Sequence, residues 1–139
     1  MVELALGVLA AIITIGFIRR KGAQSERRSY ATVLIVMAIV YVAFPLWTRN
    51  LEWVLIETAG LAGFIVIAVL GRKVSPWFLV VGMFAHVIWD MAHHANASAA
   101  FVPQWYPTAC FGYDLLVAGY IAWRIKDWNA ALASEASLK

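Results

Sequence analysis

The segment HVIWDMAHH, residues 86–94, concentrates ionisable side chains in one of the most apolar stretches of the chain. It contains the protein's three histidines, His86, His93 and His94, together with Asp90. A helix turns by about 100° per residue, so His86, Asp90 and His93 share one face and His94 lies at its edge. Imidazole and carboxylate groups are ligands that zinc and iron accept. The pattern predicts a metal site or a proton-linked polar site.

The composition indicates an integral membrane protein. Of the 139 residues, 63% are hydrophobic and only 14% are charged, and the mean hydropathy is +0.78. A soluble domain of this size needs more polar surface. Nothing in the sequence resembles a nucleic-acid-binding module, so no nucleic-acid partner is expected. The single cysteine, Cys110, excludes an intrachain disulfide.

Five apolar runs predict five transmembrane helices, because each approaches the roughly 20 residues that cross a bilayer. Within lipid such a run must be helical, since every backbone N–H and C=O needs a partner inside the segment. The predicted fold is therefore all-α, a single transmembrane domain with a short cytoplasmic tail over 126–139. The predicted helices cover residues 2–18, 30–48, 52–70, 76–94 and 108–125.

The lysines and arginines predict the orientation of these helices. Of the 11 Lys and Arg residues, only Arg49 falls on one side of a five-span bundle, and the others fall on the opposite side. Lys and Arg concentrate in cytoplasmic segments. We therefore expect the N-terminus outside and the C-terminus in the cytoplasm.

Depth brings two further carboxylates to the level of Asp90, in a layer that the histidines flank. At about 1.5 Å per residue, Asp90 lies about 10 Å, Asp114 about 9 Å and Glu57 about 8 Å below the outer surface. A charged side chain at the middle of a membrane helix costs about 2.5–3.5 kcal/mol on insertion scales. The three carboxylates are therefore expected to converge, and a cation would relieve their mutual repulsion.

The histidines and the carboxylates of this layer form a predicted site. The predicted metal ligands are His86, Asp90, His93 and His94. Asp114 and Glu57 are the predicted catalytic residues, which would complete the ligand shell, orient a histidine or act as a base. The predicted cofactor is a divalent metal ion, with zinc ahead of iron.

The motif H-x-x-W-D-x-x-H-H, followed by an F-G-x-x-D-like start of the last helix, resembles a family of small bacterial membrane proteins of unknown function. The matching residues of the second motif are Phe111, Gly112 and Asp114. The resemblance covers roughly the second half of the chain, implies a bacterial inner membrane and brings no activity with it. A looser likeness links the transmembrane His and Asp residues to membrane zinc hydrolases of the alkaline ceramidase and adiponectin-receptor type.

Three functions stay open at this point. The first is a metal-dependent, hydrolase-like enzyme whose lipid-like or small-molecule ligand enters from the outer side. The second is a protein that translocates or senses protons or metal ions without catalysis, and a haem protein ranks below both. A purely structural polar cluster is the remaining alternative. Gly60 and Gly63 provide small faces for helix packing and leave a homodimer open.

Overall fold

The computed structural model describes residues 1–137 and confirms the all-α class. Leu138 and Lys139, the end of the predicted tail, lie outside the described residues. A short 3-10 turn over Ala97–Ala99 precedes the last helix. The helices are α1 (Val2–Ile18), α2 (Ala23–Trp47), α3 (Leu51–Lys73), α4 (Trp77–Ala95) and α5 (Trp105–Ser137).

Two helices extend at least seven residues beyond the apolar runs that predicted them. α2 begins at Ala23, seven residues before the predicted start at residue 30, and α5 continues to Ser137, through the predicted tail. The added segments are rich in Ala, Glu, Gln, Lys and Arg, which have high helix propensity. Hydropathy marks where a helix meets lipid, whereas propensity allows the helix to continue beyond it.

The helices alternate in direction. At one end of the bundle the ring of Tyr106, at the start of α5, lies 5.1 Å from that of Phe44, near the end of α2. At the opposite end the Arg27 Nε–H of α2 donates to the carbonyl of Gly71, near the end of α3, at 2.6 Å. The short connections between helices are consistent with this up-and-down order.

α1 packs closely on α5 because both helices present glycine at their crossing. A Cβ atom added at Gly7 would collide with the carbonyl group of Ala109. A Cβ atom at Gly112 would lie 2.9 Å from the carbonyl oxygen of Leu4. Small residues of this kind allow two helix backbones to approach, and the crossing holds the part of α5 that carries Asp114.

The distribution of polarity is the reverse of that of a water-soluble bundle. Large apolar side chains are exposed on all five helices, for example Ile13 (63%), Leu55 (73%) and Ile88 (71%). The acidic and histidine side chains buried among the described residues are Glu26, Glu57, His86, Asp90, His93 and Asp114. Among the described residues, α2 and α3 are long and apolar enough to cross a membrane, and α1 is a shorter apolar helix.

Candidate functional site

α4 carries the histidine segment on a face that points into the bundle. His86, Asp90 and His93 are all buried, as their three- and four-residue spacing on one helix face requires. His94, one residue beyond that arc, is exposed. The helix therefore divides the four predicted metal ligands into three inward side chains and one outward side chain.

His86, Asp90 and Asp114 form a buried trio between α4 and α5. The His86 Nδ1 atom lies 2.8 Å from the Asp114 Oδ2 atom and 3.4 Å from the Asp90 Oδ2 atom. One potential ligand atom from each residue lies within 4.8 Å of the others, and all three side chains are 0% exposed. The trio thus combines two carboxylates and one imidazole without contact with solvent.

Tyr41 of α2 adds a hydroxyl group to the trio. Its O–H donates a short hydrogen bond to the Asp90 Oδ1 atom. The Tyr41 ring also packs against the rings of His86 and His93, with centroids 5.6 Å and 4.8 Å away. Tyr41 therefore holds Asp90 in one orientation and separates the trio from the next histidine.

His93 and Glu57 form a second polar pair, one turn closer to the α4–α5 connection. The His93 Nδ1–H donates to the carbonyl of Trp89 at 2.8 Å, because a carbonyl oxygen only accepts. The His93 Nε2 atom bonds to the Glu57 Oε1 atom, and the Trp89 Nε1–H donates to Glu57 Oε2 at 3.0 Å. Both ring nitrogens of His93 are occupied, so this histidine has no free atom for a metal ion in the observed arrangement.

The trio differs from this pair because it keeps polar atoms without hydrogen-bond partners. Within residues 1–137, those buried atoms include His86 Nε2, Asp90 Oδ2 and Asp114 Oδ1. An unpaired buried polar atom costs about 1–3 kcal/mol, and such atoms are rare in folded proteins. Each of these three atoms offers a lone pair once the imidazole Nε2 is unprotonated, so their chemistry suits a cation. Three further unpaired buried atoms, Arg27 Nη2, Tyr30 Oη and Arg124 Nε, lie outside the trio.

The structure brings together part of the predicted set. Asp114, predicted as a catalytic residue, lies against His86, whereas Glu57 is bonded to His93 rather than to the trio. His93 and His94 both line a small cavity of about 110 Å³ at the α4–α5 connection. The predicted metal and catalytic roles of these residues remain predictions.

Tyr41 is a residue of the site that the sequence analysis did not select. Tyr41 precedes the end of α2 at Trp47 by six residues, or about 9 Å along the helix axis. That depth matches the layer calculated for Glu57, Asp90 and Asp114. Applying the same depth argument to hydroxyl side chains would have included it.

Comparison with known proteins does not assign a function to this site. No protein-family model matches the chain, and no curated protein or solved structure matches it significantly.

Proposed function

We propose that this chain is a small integral membrane protein that binds a divalent metal ion through His86, Asp90 and Asp114. The observation that carries the proposal is the set of three fully buried side chains whose ligand atoms lie within 4.8 Å of one another. Each side chain also keeps a buried atom without a hydrogen-bond partner in the described part of the chain.

Charge balance favours a divalent ion. Two carboxylates with a neutral imidazole carry two negative charges, which one divalent cation neutralises. Without a cation, the buried carboxylates repel and at least one must bind a proton. A nitrogen ligand with two carboxylate oxygens suits zinc or iron better than magnesium, which prefers oxygen ligands and water. Zinc ranks ahead of iron.

The membrane placement rests on the reversed distribution of polarity. Exposed apolar side chains on every helix would be costly in water and are favourable in lipid. Exposed tryptophans also occur at both ends of the bundle, Trp47 and Trp105 at one end, Trp77 and Trp123 at the other. Tryptophan at both levels is typical of membrane interfaces. We propose five spanning helices with the N-terminus outside, in a bacterial inner membrane.

Hydrolysis of a lipid-like substrate is the finer proposal for the same site. The metal ion would supply an activated water or a Lewis acid, and the His93–Glu57 pair would accept a proton beside the cavity that His93 lines. The 0% exposure of the trio means that substrate would enter only after side chains move. A bound metal ion requires no such opening. Metal binding is therefore the function that the geometry supports best.

The decisive test is metal content. Protein purified from cells supplied with zinc and iron is analysed by elemental mass spectrometry as wild type, His86→Ala and His94→Ala. We expect near-stoichiometric metal in the wild type, loss in His86→Ala and retention in His94→Ala, because His94 is exposed. Wild-type protein that is free of metal, and whose stability is unchanged by added zinc or iron, would remove the proposal and leave a proton site or a structural cluster.

The topology is tested separately by labelling. Single cysteines at Ser98 and Gln24, in a Cys110→Ser background, are treated with a membrane-impermeant thiol reagent on intact cells. We expect labelling at position 98 and protection at position 24 until the membrane is opened. The reverse pattern would place the basic end of the bundle outside and contradict the proposed orientation.

A further inference from the structure

A groove runs between α1 and α2 toward the basic end of the bundle, and none of the candidate metal ligands lines it. Its volume is about 530 Å³, within the range of about 300–1,000 Å³ that is usual for small-molecule sites. The α1 wall includes Ile13 and Phe17, and the α2 wall includes Thr32 and Val33. Ile13 and Phe17, four residues apart, share one face of α1, and Ser29 and Val33, also four apart, share one face of α2.

The groove is apolar along its length and cationic at one end. Lys21, in the α1–α2 connection, and Arg28, in the first turns of α2, line that end. The Lys21 Nζ atom lies 5.2 Å from the centroid of the Phe17 ring, so the cation sits directly at the apolar wall. Neither Lys21 nor Arg28 forms an ion pair within residues 1–137.

This arrangement selects a ligand with two parts. The apolar walls are open, with Ile13 63% and Phe17 67% exposed, and they need an apolar occupant to bury them. The two unpaired cations need an anion, and clusters of Lys and Arg at the cytoplasmic side of membrane helices attract anionic lipid headgroups. Free phosphate satisfies only the cations, and a neutral lipid satisfies only the walls.

We propose that the groove is a binding site for one anionic phospholipid of the inner leaflet. The phosphate contacts Lys21 and Arg28, and an acyl chain lies along Ile13, Phe17 and Val33. The proposal rests on the membrane placement proposed above but is independent of the metal site. The charges of the loops predict only the orientation of the helices, whereas the groove indicates a lipid partner.

Native mass spectrometry of the detergent-purified protein tests the site with two probes of identical acyl chains, phosphatidylglycerol and phosphatidylcholine. We expect tighter binding of phosphatidylglycerol. Lys21→Gln and Arg28→Gln should each weaken phosphatidylglycerol binding about fivefold, because one cation near a lipid surface contributes about 1 kcal/mol. Binding of phosphatidylcholine should change little in either variant.

A second variant tests the groove without changing charge. Thr32 is an exposed residue on the groove wall, and its hydroxyl bonds only to the carbonyl of Arg28 one turn earlier. Thr32→Trp should fill the groove and abolish tight phosphatidylglycerol binding. The matched control is Thr58→Trp on α3, where the hydroxyl makes the equivalent bond to Val54 and the side chain is exposed away from the groove.

Several results would overturn the proposal. Equal binding of the two lipids would remove the role of the cations. An equal effect of Arg72→Gln, which removes a charge at the same end but outside the groove, would indicate diffuse attraction to the basic face. Unchanged binding in Thr32→Trp, or inorganic phosphate that binds as tightly as phosphatidylglycerol, would remove the acyl chain from the site.

These failures are distinguishable from failure of the proposed function. Metal content and cysteine labelling report on the metal site and on the membrane placement, and neither measurement uses the groove. A protein that binds metal and shows the expected topology, but does not prefer phosphatidylglycerol, contradicts only the lipid site. The variants replace exposed residues, and unchanged thermal unfolding checks that each one folds.

Discussion

The bundle buries carboxylates at both ends. The two ends differ in how many of the carboxylate oxygens have hydrogen-bond partners. At the basic end, Glu26 accepts hydrogen bonds from Tyr120 at 2.6 Å, from Trp128 at 2.7 Å and from Arg124 at 3.1 Å. Both of its oxygens are bonded, and a cation faces it. At the other end, Asp90 and Asp114 share one imidazole, and each keeps an oxygen without a hydrogen-bond partner in the described chain.

The difference separates a structural carboxylate from a candidate ligand. Glu26 ties α2 to α5, because its three donors recur every four residues on one face of α5. A group that is saturated in this way has no remaining atom to offer. The trio contains two carboxylates but only one imidazole, and some of its atoms keep free lone pairs. These features allow it to bind a cation.

The largest expected effect on stability is at the end that contains Glu26. Glu26→Ala removes the shared acceptor of Tyr120, Arg124 and Trp128 and should lower the free energy of unfolding by about 3–5 kcal/mol, the usual cost of breaking a buried ion pair. Thermal or detergent unfolding measures this. Glu52→Ala, which removes an exposed carboxylate from the first turn of α3, should cost at most about 1 kcal/mol. Equal effects would contradict the structural role of Glu26.

Metal-linked stabilisation should occur only at the other end. At a free metal concentration of 100 times Kd, binding stabilises the folded protein by about 2.7 kcal/mol. Asp114→Asn should lose most of this increment, whereas Glu26→Gln should retain it even if its baseline stability is lower. The measurement is unfolding with and without metal or chelator. An increment that persists in Asp114→Asn would exclude this carboxylate as a ligand.

The same increment should disappear in acid. Protonated imidazole cannot ligate a metal ion, so binding to His86 releases protons and weakens as the pH falls. The stabilisation is thus present above the pH range in which the metal-bound site takes up protons and is lost below it. Titration of bound metal against pH checks the sign, and stronger retention at lower pH would contradict ligation by His86.

A smaller effect is expected where α3 meets α4. A Cβ atom at Gly60 would lie 2.8 Å from the Trp89 ring, whereas a Cβ atom at Gly63 would meet nothing within 4 Å. Gly60→Ala should therefore displace Trp89, weaken its bond to Glu57 and cost about 1–3 kcal/mol, as overpacking does. Gly63→Ala should be neutral or stabilise by about 0.5–1 kcal/mol. Equal outcomes in unfolding measurements would contradict the packing of Trp89 on Gly60.

The smallest expected effect concerns the hydroxyl of Tyr41. Tyr41→Phe removes the hydrogen bond that orients Asp90 and should weaken metal binding about tenfold. This is the lower end of the usual range for residues that hydrogen-bond to a metal ligand. Tyr30→Phe is the matched control, because the buried Tyr30 hydroxyl has no hydrogen-bond partner among residues 1–137. Competition with a metal chelator measures both, and equal affinities in the two variants would remove Tyr41 from the site.

The helical class and the approximate position of each helix follow from local properties. Apolar runs and the rise per residue are set by the chain itself, and the ranges predicted for α1, α3 and α4 lie close to those in the structure. The same arithmetic anticipated that Asp114 would lie at the level of Asp90. It did not reveal Glu26, because a carboxylate inside a basic segment resembles a solvated charge until its donors on α5 are brought to it.

Residue order alone predicts the all-α class, the inward face of α4 and the layer that contains the buried carboxylates, because helix periodicity and rise depend only on position along the chain. Which groups meet within that layer depends on how the helices pack. Packing places Asp114 against His86, Glu57 against His93 and Tyr41 against Asp90, and it leaves His94 exposed. Those pairings depend on the rotation of each helix about its own axis and on the packing of its neighbours, and glycine contacts such as Gly7 with Ala109 set how closely the helices approach.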